Sequence, residues 1–486
     1  MSGLILAVDQ GTTSTKALLV DRGGAVVGQH AVPIEIASPR PGWVEQDAGE
    51  LWLSVQAAIA GVMAGLPDGA QVLGLAISNQ RETVVGWDAR TGRPVAPAIS
   101  WQDQRGDAAC RELATEPANR ELVRRGSGLE LGSMFSASKL AWFEGAHGAT
   151  TDLRLGTVDT WLLERLTGGA TYATEAGNAA RTLLLDIATV DWNPAVAELF
   201  GLDVTRLAEV RPSTGPWGST VGVDALPDGT PILAVLGDSH AALYGHWALA
   251  PEARGIGKAT YGTGSSVMLP VPGPEVRVPG VATTLAWHAG SPQWALEGNI
   301  LYSGAGLDWL ARTIGCAPGA ELTRLAATAG DSGGTVFVPA LNGLGAPWWD
   351  ASAVGCLVGL TAATSRAQIA LAGLEAVAHQ VVDVVTAMDP ERSQPALHAG
   401  GGATSSELLL QIQADLLGRD LLVSGHPEIS AVGAAALAFE TLGTPIEPSP
   451  SLRPRRITPQ DDADPAGARA AWLDALARAG VNPNQS

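Results

Sequence analysis

The stretch from Leu4 to Val20, LILAVDQGTTSTKALLV, constrains this chain more than any other. The aliphatic run Leu4 to Val8 is what a strand buried on both faces requires, and Asp9 ends it where a ligand cleft opens in α/β sheets. Gly11, Thr12, Thr13, Ser14 and Thr15 follow, and Lys16 adds a positive charge. Backbone N–H groups and hydroxyls in such a turn can hold anionic oxygens, although an ordinary Gly/Thr hairpin turn has the same composition. The pattern reads as strand, candidate phosphate loop, strand.

A chain of 486 residues, 46% of them hydrophobic, exceeds one core and has ample apolar content for two domains. A formal charge of −19 repels nucleic acid and anionic membranes, which argues against both as partners and leaves a small molecule. Any anionic ligand must then be held by local donors. The chain has only three lysines, Lys16, Lys139 and Lys258, and two of them lie in or beside Gly/Thr-rich turns. Cys110, Cys316 and Cys356 are odd in number and far apart, which fits neither a disulfide framework nor a metal cluster and points to a reducing cytoplasm. No charged leader precedes the first strand and no apolar run reaches the length of a membrane span, so secretion and membrane insertion are not expected.

Taken in order, Asp21-Arg22-Gly23-Gly24 is a turn and Ala25 to Val32 a further strand, so the chain opens as an antiparallel meander. Ala48 to Leu66 has helical spacing. Gln71 to Ile77 reads as a buried strand ending in the polar cluster Ser78-Asn79-Gln80-Arg81-Glu82, with Thr83 to Trp87 beyond it. Ile99 to Arg105 alternates apolar and polar residues and leads into a helix, and this alternation of elements indicates α/β architecture. Lys258 to Leu269, KATYGTGSSVML, repeats the pattern of the first loop, which suggests two phosphate hairpins facing one cleft. The boundary is expected near Gly245 to Arg254, dividing the chain into 1–245 and 246–486. A Pro-rich surface segment, Pro445 to Arg456, leads to a last helix ending near Ala479.

SNQRETVVGWDARTG, from Ser78 to Gly92, with Trp101-Gln102 beyond it, resembles the polyol-binding segment of the glycerol kinases, within the FGGY carbohydrate kinase family. DQGTTSTK (Asp9 to Lys16) is similar to that family's first phosphate loop. Lys139-Leu140-Ala141-Trp142 fits its K-L-x-W element and Gly156 to Trp161 its G-T-V-D-T-W element. Gly237-Asp238-Ser239, Thr260 to Gly264, Pro339 to Asp350 and Gly400 to Ala403 continue the likeness in family order over nearly the whole chain.

The resemblance implies a two-domain actin-like ATPase (ribonuclease H-like) fold with its active site in the interdomain cleft, and ATP and Mg2+ as co-substrate and cofactor. It implies Asp238 as general base, at a strand end before a helix; a helix N-cap aspartate would suit the position too. Asp9, with Asp238, is implied as the magnesium-associated carboxylate. Thr12, Thr13, Ser14 and Lys16 are implied as phosphate contacts, facing Gly262, Thr263 and Gly264 across the cleft. Lys16 stands where arginine is frequent in the family. Gly304, Asp308, Gly402 and Glu407 match nucleotide positions, but Asp308 replaces glutamine, Gly400 aspartate and Glu407 asparagine, which leaves nucleotide preference open. A homodimer or a homotetramer is left open too.

For the polyol, the adjacent Arg81 and Glu82 can donate to and accept from neighbouring hydroxyls, and Trp101 can cover the carbon chain; a surface ion pair and a core tryptophan are the alternatives. Met134 stands where the glycerol kinases have tyrosine, Ser266 where they have phenylalanine, and Ser239 where they have glutamine. A pocket with less aromatic bulk is expected to take something larger or more polar than glycerol. Asp103, in WQDQR, resembles the W-x-D of pentulose and tetritol kinases and is expected to hold an additional hydroxyl. Asp224 to Gly229 carries no basic residue for a sugar bisphosphate effector, so that control is not expected. The expected activity is therefore glycerol kinase-like phosphorylation of a primary hydroxyl, with a tetritol, pentitol or ketopentose kinase as the alternative. An actin-like ATPase without a sugar substrate is the rival from another class, and it would need no polyol cluster. An iron–sulfur activator of similar fold is disfavoured by the scattered cysteines.

Overall fold

The computed structural model describes residues 3–148, 150, 152–461 and 464–482. The strand Gly3–Gln10 has Leu4, Leu6 and Val8 in one apolar cluster, under the helix Ala48–Met63, and Ile5 and Ala7 in another. Both faces are covered, and the aliphatic run of the sequence is the result. Gly3–Gln10 pairs antiparallel with Ser14–Val20, which pairs with Val26–Pro33; on its other side it runs parallel to Gln71–Asn79, followed by Ile232–Gly237. The expected meander is the antiparallel half of this five-stranded sheet. Ser78 and Asn79 belong to the strand, because they pair with Asp9 and Gln10.

The second half repeats the plan. Lys258–Tyr261 pairs antiparallel with Ser265–Val271 and that with Ser291–Ile300, while its other side runs parallel to Ala396–Gly400 and Asp420–Val423. Five strands thus recur in the same order and sense, with Ala282–Ala289 and Arg455–Ile457 added at the edges. A smaller sheet around Val84–Asp88, with the helix Ser136–His147, is inserted in the first half and carries the Trp101 and Met134 loops. The last helix is Pro465–Arg478.

Gly245, expected in an interdomain connection, lies inside the helix Asp238–Leu249. That helix crosses Ile429–Thr441, and the crossing is so close that a Cβ on Gly433 would lie 1.9 Å from the Ala241 carbonyl oxygen, and one on Gly245 2.5 Å from that of Ile429. These glycines mark close helix contact between the halves. The expectation that no apolar run reaches the length of a membrane span fails: the helix Arg366–Met388 is long and apolar enough to cross a membrane. It is the core helix of the second half, with 83% of its apolar window buried, and its Gln380 and Asp383 bond to Tyr302 and Trp472. A helix enclosed on all sides is apolar all round for that reason.

Because the crossing leaves no room for a side chain, Gly433→Ala is expected to cost about 1–3 kcal/mol of stability, as overpacking does. Urea denaturation checks this; an unchanged midpoint would show that the helices separate freely.

Candidate functional site

The ends of the two sheets face one another. Between them lies a cavity of about 720 Å³ lined from the first half by Thr12, Arg81, Glu82, Trp101, Met134, Asp238 and Ser239 and from the second by Gly262, Thr263, Gly264 and Ser266. All eight residues expected on the polyol side line it, Asp103 included. Thr13, Ser14, Lys16, Gly304, Asp308, Gly402 and Glu407 do not.

The hairpin tips are built alike: Gly11 N–H bonds the Ser14 carbonyl (3.0 Å) and Gly262 N–H that of Gly264 (2.9 Å). Among the described residues, the amides of Thr12, Thr13, Thr263 and Gly264 donate to no protein group, which leaves N–H groups on both sides for anionic oxygens. A Cβ on Gly402 would meet nothing within 4 Å, so packing does not demand glycine there and the surface stays open to a flat ligand. Gly401 is different, with φ +95 and the Tyr261 carbonyl 2.4 Å from a notional Cβ; it makes the strand-to-helix turn. Glu407 is exposed and paired with Arg455 (2.8 Å).

Asp238 is the first residue of its helix, and Gly237 holds the cap position. Its Oδ1 accepts from Ser239 N–H (2.6 Å) and from Arg81 Nε (3.2 Å), its Oδ2 makes no bond among the described residues, and the side chain is 40% exposed. Gly237 is required by Arg81, since a Cβ there would sit 2.5 Å from the arginine Cδ. Arg81 also donates to both oxygens of Glu297 (2.9 and 2.6 Å) and to His240 Nε2 (3.1 Å). Burial, with Arg81 beside it, holds His240 well below its usual pKa, so it accepts as a neutral ring. Burial alone would raise Glu297, but Arg181 and Arg81 outweigh it and keep the carboxylate ionised.

Glu82 adopts φ 65, a left-handed conformation uncommon for a non-glycine residue. Ser136 Oγ holds its carbonyl (3.1 Å) and Arg181 Nε its Oε1 (2.6 Å). Trp101 donates from Nε1 to Thr12 Oγ1 (3.0 Å), which ties the wall of the pocket to the first hairpin. Met134 sits on a loop whose carbonyls, at Ser133, Met134 and Phe135, all accept from the buried Lys139 (2.6, 2.6 and 3.2 Å). Burial brings this lysine down to about 7. Lys258 is also fully buried and also brought down to about 7 by burial; it donates to Thr260 Oγ1 (3.0 Å) and Ser266 Oγ (3.3 Å).

One expectation is corrected, and a second residue stands with an unexpected partner. Asp103 does not offer its carboxylate to a ligand: the side chain is 0% exposed and accepts from Val44 N–H (2.6 Å) and three times from Arg105. Arg105 is in turn sandwiched between Trp43 (3.7 Å) and Trp142 (4.6 Å), so Asp103 braces this stack. Lys16, expected on phosphate, is paired with both oxygens of Glu428 (2.8 and 2.7 Å) from the second half. Asp9 lies beside this pair. Its Oδ1 is buried without a hydrogen bond among the described residues, and burial above all, with Asp238 and Glu428, pushes the carboxyl up to about 6 against the Ser78 hydroxyl beside it and Lys16. An orphaned hard oxygen next to a second carboxylate fits a magnesium ion.

Arg181, Glu297, His240 and Glu428 were absent from the expected set. Glu297 carries the one signal that was available, a lone charge in the otherwise apolar strand QWALEGNIL.

Residues 4–245 match the N-terminal domain of the FGGY family of carbohydrate kinases and residues 257–442 its C-terminal domain. The chain belongs to this family. An apulose kinase of Pectobacterium atrosepticum is 43% identical over 90% of each chain, and a glycerol kinase of Alkalilimnicola ehrlichii 39% identical over 98% of each. Plasmodium falciparum glycerol kinase, solved with ADP, superposes with a TM-score of 0.89 at 27% identity over 99% of both chains. The fold is thus the two-domain actin-like one of the FGGY kinases, and the protein is a sugar or polyol phosphotransferase.

Arg105→Met is expected to destabilise the protein by about 3–5 kcal/mol, since it strands the buried Asp103 carboxylate without a counter-charge, its backbone N–H donors from Val44 and residue 105 alone remaining. The double variant with Asp103→Leu should recover part of that loss in the same denaturation assay; additive losses would rule out the brace.

Proposed function

We propose that this protein transfers the γ-phosphate of ATP to a primary hydroxyl of a small polyol, as a glycerol kinase does, with Asp238 as general base. The observation that carries this reading is the half-engaged carboxylate of Asp238, which keeps Oδ2 for a hydroxyl proton at the junction of the polyol residues and both hairpins. Arg81 and Glu82 orient the substrate's hydroxyls, and Trp101 covers its carbons. Proton loss to Asp238 makes the oxygen nucleophilic as it meets the phosphorus. The free amides of Thr12, Thr13, Thr263 and Gly264 take the charge on the phosphate oxygens. Asp9 and Asp238 would hold magnesium, which when bound neutralises phosphate charge. Ser14 begins the strand after the first tip and keeps its turn closed through its carbonyl. Gly304 N–H bonds the Gly262 carbonyl (3.0 Å), and with Asp308, Gly402 and Glu407 it forms the nucleotide side of this reading.

A second reading, a tetritol, pentitol or ketopentose as substrate, is favoured by the walls of the cavity. Met134 and Ser266 leave it without two aromatic faces, and Ser239 and Ser266 add hydroxyls that glycerol would leave to water. Asp103 is not available to help. The likeness to an apulose kinase supports the same direction.

Asp238→Asn is expected to lose several orders of magnitude in kcat while still binding an ATP analogue; turnover near that of the wild type would remove the base assignment. Across a panel of polyols and ketopentoses, kcat/KM for a four- or five-carbon substrate is expected to equal or exceed that for glycerol, each added hydrogen bond being worth about 1 kcal/mol. Met134→Tyr with Ser266→Phe should tilt the ranking back toward glycerol. A wide preference for glycerol in the unaltered protein, or a ranking indifferent to the double change, would leave a plain glycerol kinase.

A further inference from the structure

We infer that Glu297 is a positioning residue of the substrate site: a carboxylate from the second half that fixes which polar atoms Arg81 and Glu82, in the first half, present to substrate. The inference rests on the polyol-kinase reading above and extends it to a residue outside the substrate-lining cavity.

Glu297 is 0% exposed and lies between two guanidiniums. It accepts from Arg81 through both oxygens, and its Oε2 is 3.1 Å from Arg181 Nη1. Of the five N–H groups of a guanidinium, Arg81 spends two on Glu297, one on His240 and one on Asp238. A single N–H, on Nη2, remains. Arg181 in turn occupies only Oε1 of Glu82, which leaves Oε2. Arg81 and Glu82 are thus left with one donor and one acceptor on adjacent residues, which suits two neighbouring hydroxyls, while Arg181 Nη1 and Nη2 are buried without a hydrogen bond. The other groups facing Glu297 are the neutral His240 and Ser266 Oγ (3.3 Å), with Lys258 behind the serine.

The strand that carries Glu297 also reaches the phosphate side. Ser291–Ile300 runs into Ser303, Gly304 and Ala305, whose amides bond the Thr263 and Gly262 carbonyls at the second hairpin tip. Its hairpin partner, Ala282–Ala289, is seated on the first half through Thr283 N–H to Gly128 (2.9 Å) and through Ser213 to His288 (2.8 and 2.9 Å). One hairpin therefore sets the Arg81 guanidinium at one position and the phosphate tip at the next turn of chain, so a substrate held by Arg81 is registered against the group that receives the nucleotide.

The test uses the full chain with E297Q and E297D, read by KM and kcat for the best polyol or ketose, KM for ATP, polyol binding by tryptophan fluorescence, and melting temperature. E297Q removes the counter-charge that the two buried guanidiniums share, leaving Arg81 only Asp238 and Arg181 only Glu82; E297D keeps the charge but is one methylene too short to span both. The expected result is a polyol KM and dissociation constant raised tenfold or more in E297Q and several-fold in E297D, with the ATP KM within twofold of the unaltered protein in both. A role in stability alone would lower the melting temperature and leave polyol KM unchanged, and that outcome overturns the inference. If E297Q does not fold, E297D decides: polyol binding like that of the unaltered protein overturns it. An unaltered protein that phosphorylates no polyol or ketose would instead overturn the functional reading.

Discussion

Strands covered on both faces can show polar chemistry only where they end, and the whole site follows from that constraint. Residues 4–8 are divided between two apolar clusters on opposite faces of the first sheet, so the first polar side chain the strand can offer to a ligand is Asp9. Gly237 and Asp238 stand at the end of the strand two places away in the same sheet. The second sheet repeats the arrangement, its own hairpin tip coming at Gly262 to Gly264. Placing two such sheets end to end brings the hairpin tips and the end that carries Asp238 to one cleft, and the close helix crossing at Gly245 and Gly433 fixes them there.

Within the cleft the costly element is the buried charge. Arg81, Arg181, Glu297 and Glu82 are all nearly removed from water, which burial alone would forbid. They persist because each charge meets another: Arg81 grips Glu297 bidentately, and Arg181 bonds Glu82 and forms an ion pair with Glu297. Such a network stabilises little beyond an apolar replacement, but it restricts the guanidinium to one orientation. Precision at Arg81 is therefore what the desolvation cost supports. The left-handed backbone at Glu82 points the same way, because strain at a residue with this many partners persists only where its surroundings over-determine it.

Much of this was legible in the sequence wherever the signal is local. The first hairpin, its repeat near Lys258 and the strand-end position of Asp238 are each contained in a dozen residues, and period and turn chemistry are enough to read them. Other familiar elements turn out to brace rather than bind. Lys139 of K-L-x-W caps three carbonyls, Trp142 covers Arg105, and Asp159 of G-T-V-D-T-W holds Thr174 and the Glu175 amide. Asp103 was misread because its partner stands only two residues on, in D-x-R, where a charged pair looks like surface. Arg181 meets Glu82 across 99 residues, Glu297 meets Arg81 across 216 and Glu428 meets Lys16 across 412, and no local pattern records such pairings.

The Lys16–Glu428 pair shows how such a distant partner changes the electrostatics of a phosphate loop. On the proposed function, a triphosphate enters a cleft that already holds Asp9, Asp238 and Glu428, three carboxylates against one hairpin lysine. Lys16 cannot serve two anions at full strength, so phosphate must draw it from Glu428. Glu428 stands at the cap position of the helix Ile429–Thr441, where the helix dipole favours a negative charge with or without the lysine although the side chain bonds none of the helix amides. The pair is also 35% and 16% exposed, so water weakens the attraction that must be broken. Asp9 has no such alternative: its buried Oδ1 makes no hydrogen bond among the described residues, and of the two carboxylates only this one depends on a cation arriving with the nucleotide. A lysine at this position, compact and mobile where an arginine fork would be fixed, suits an exchange of partners better than it suits a rigid phosphate clamp.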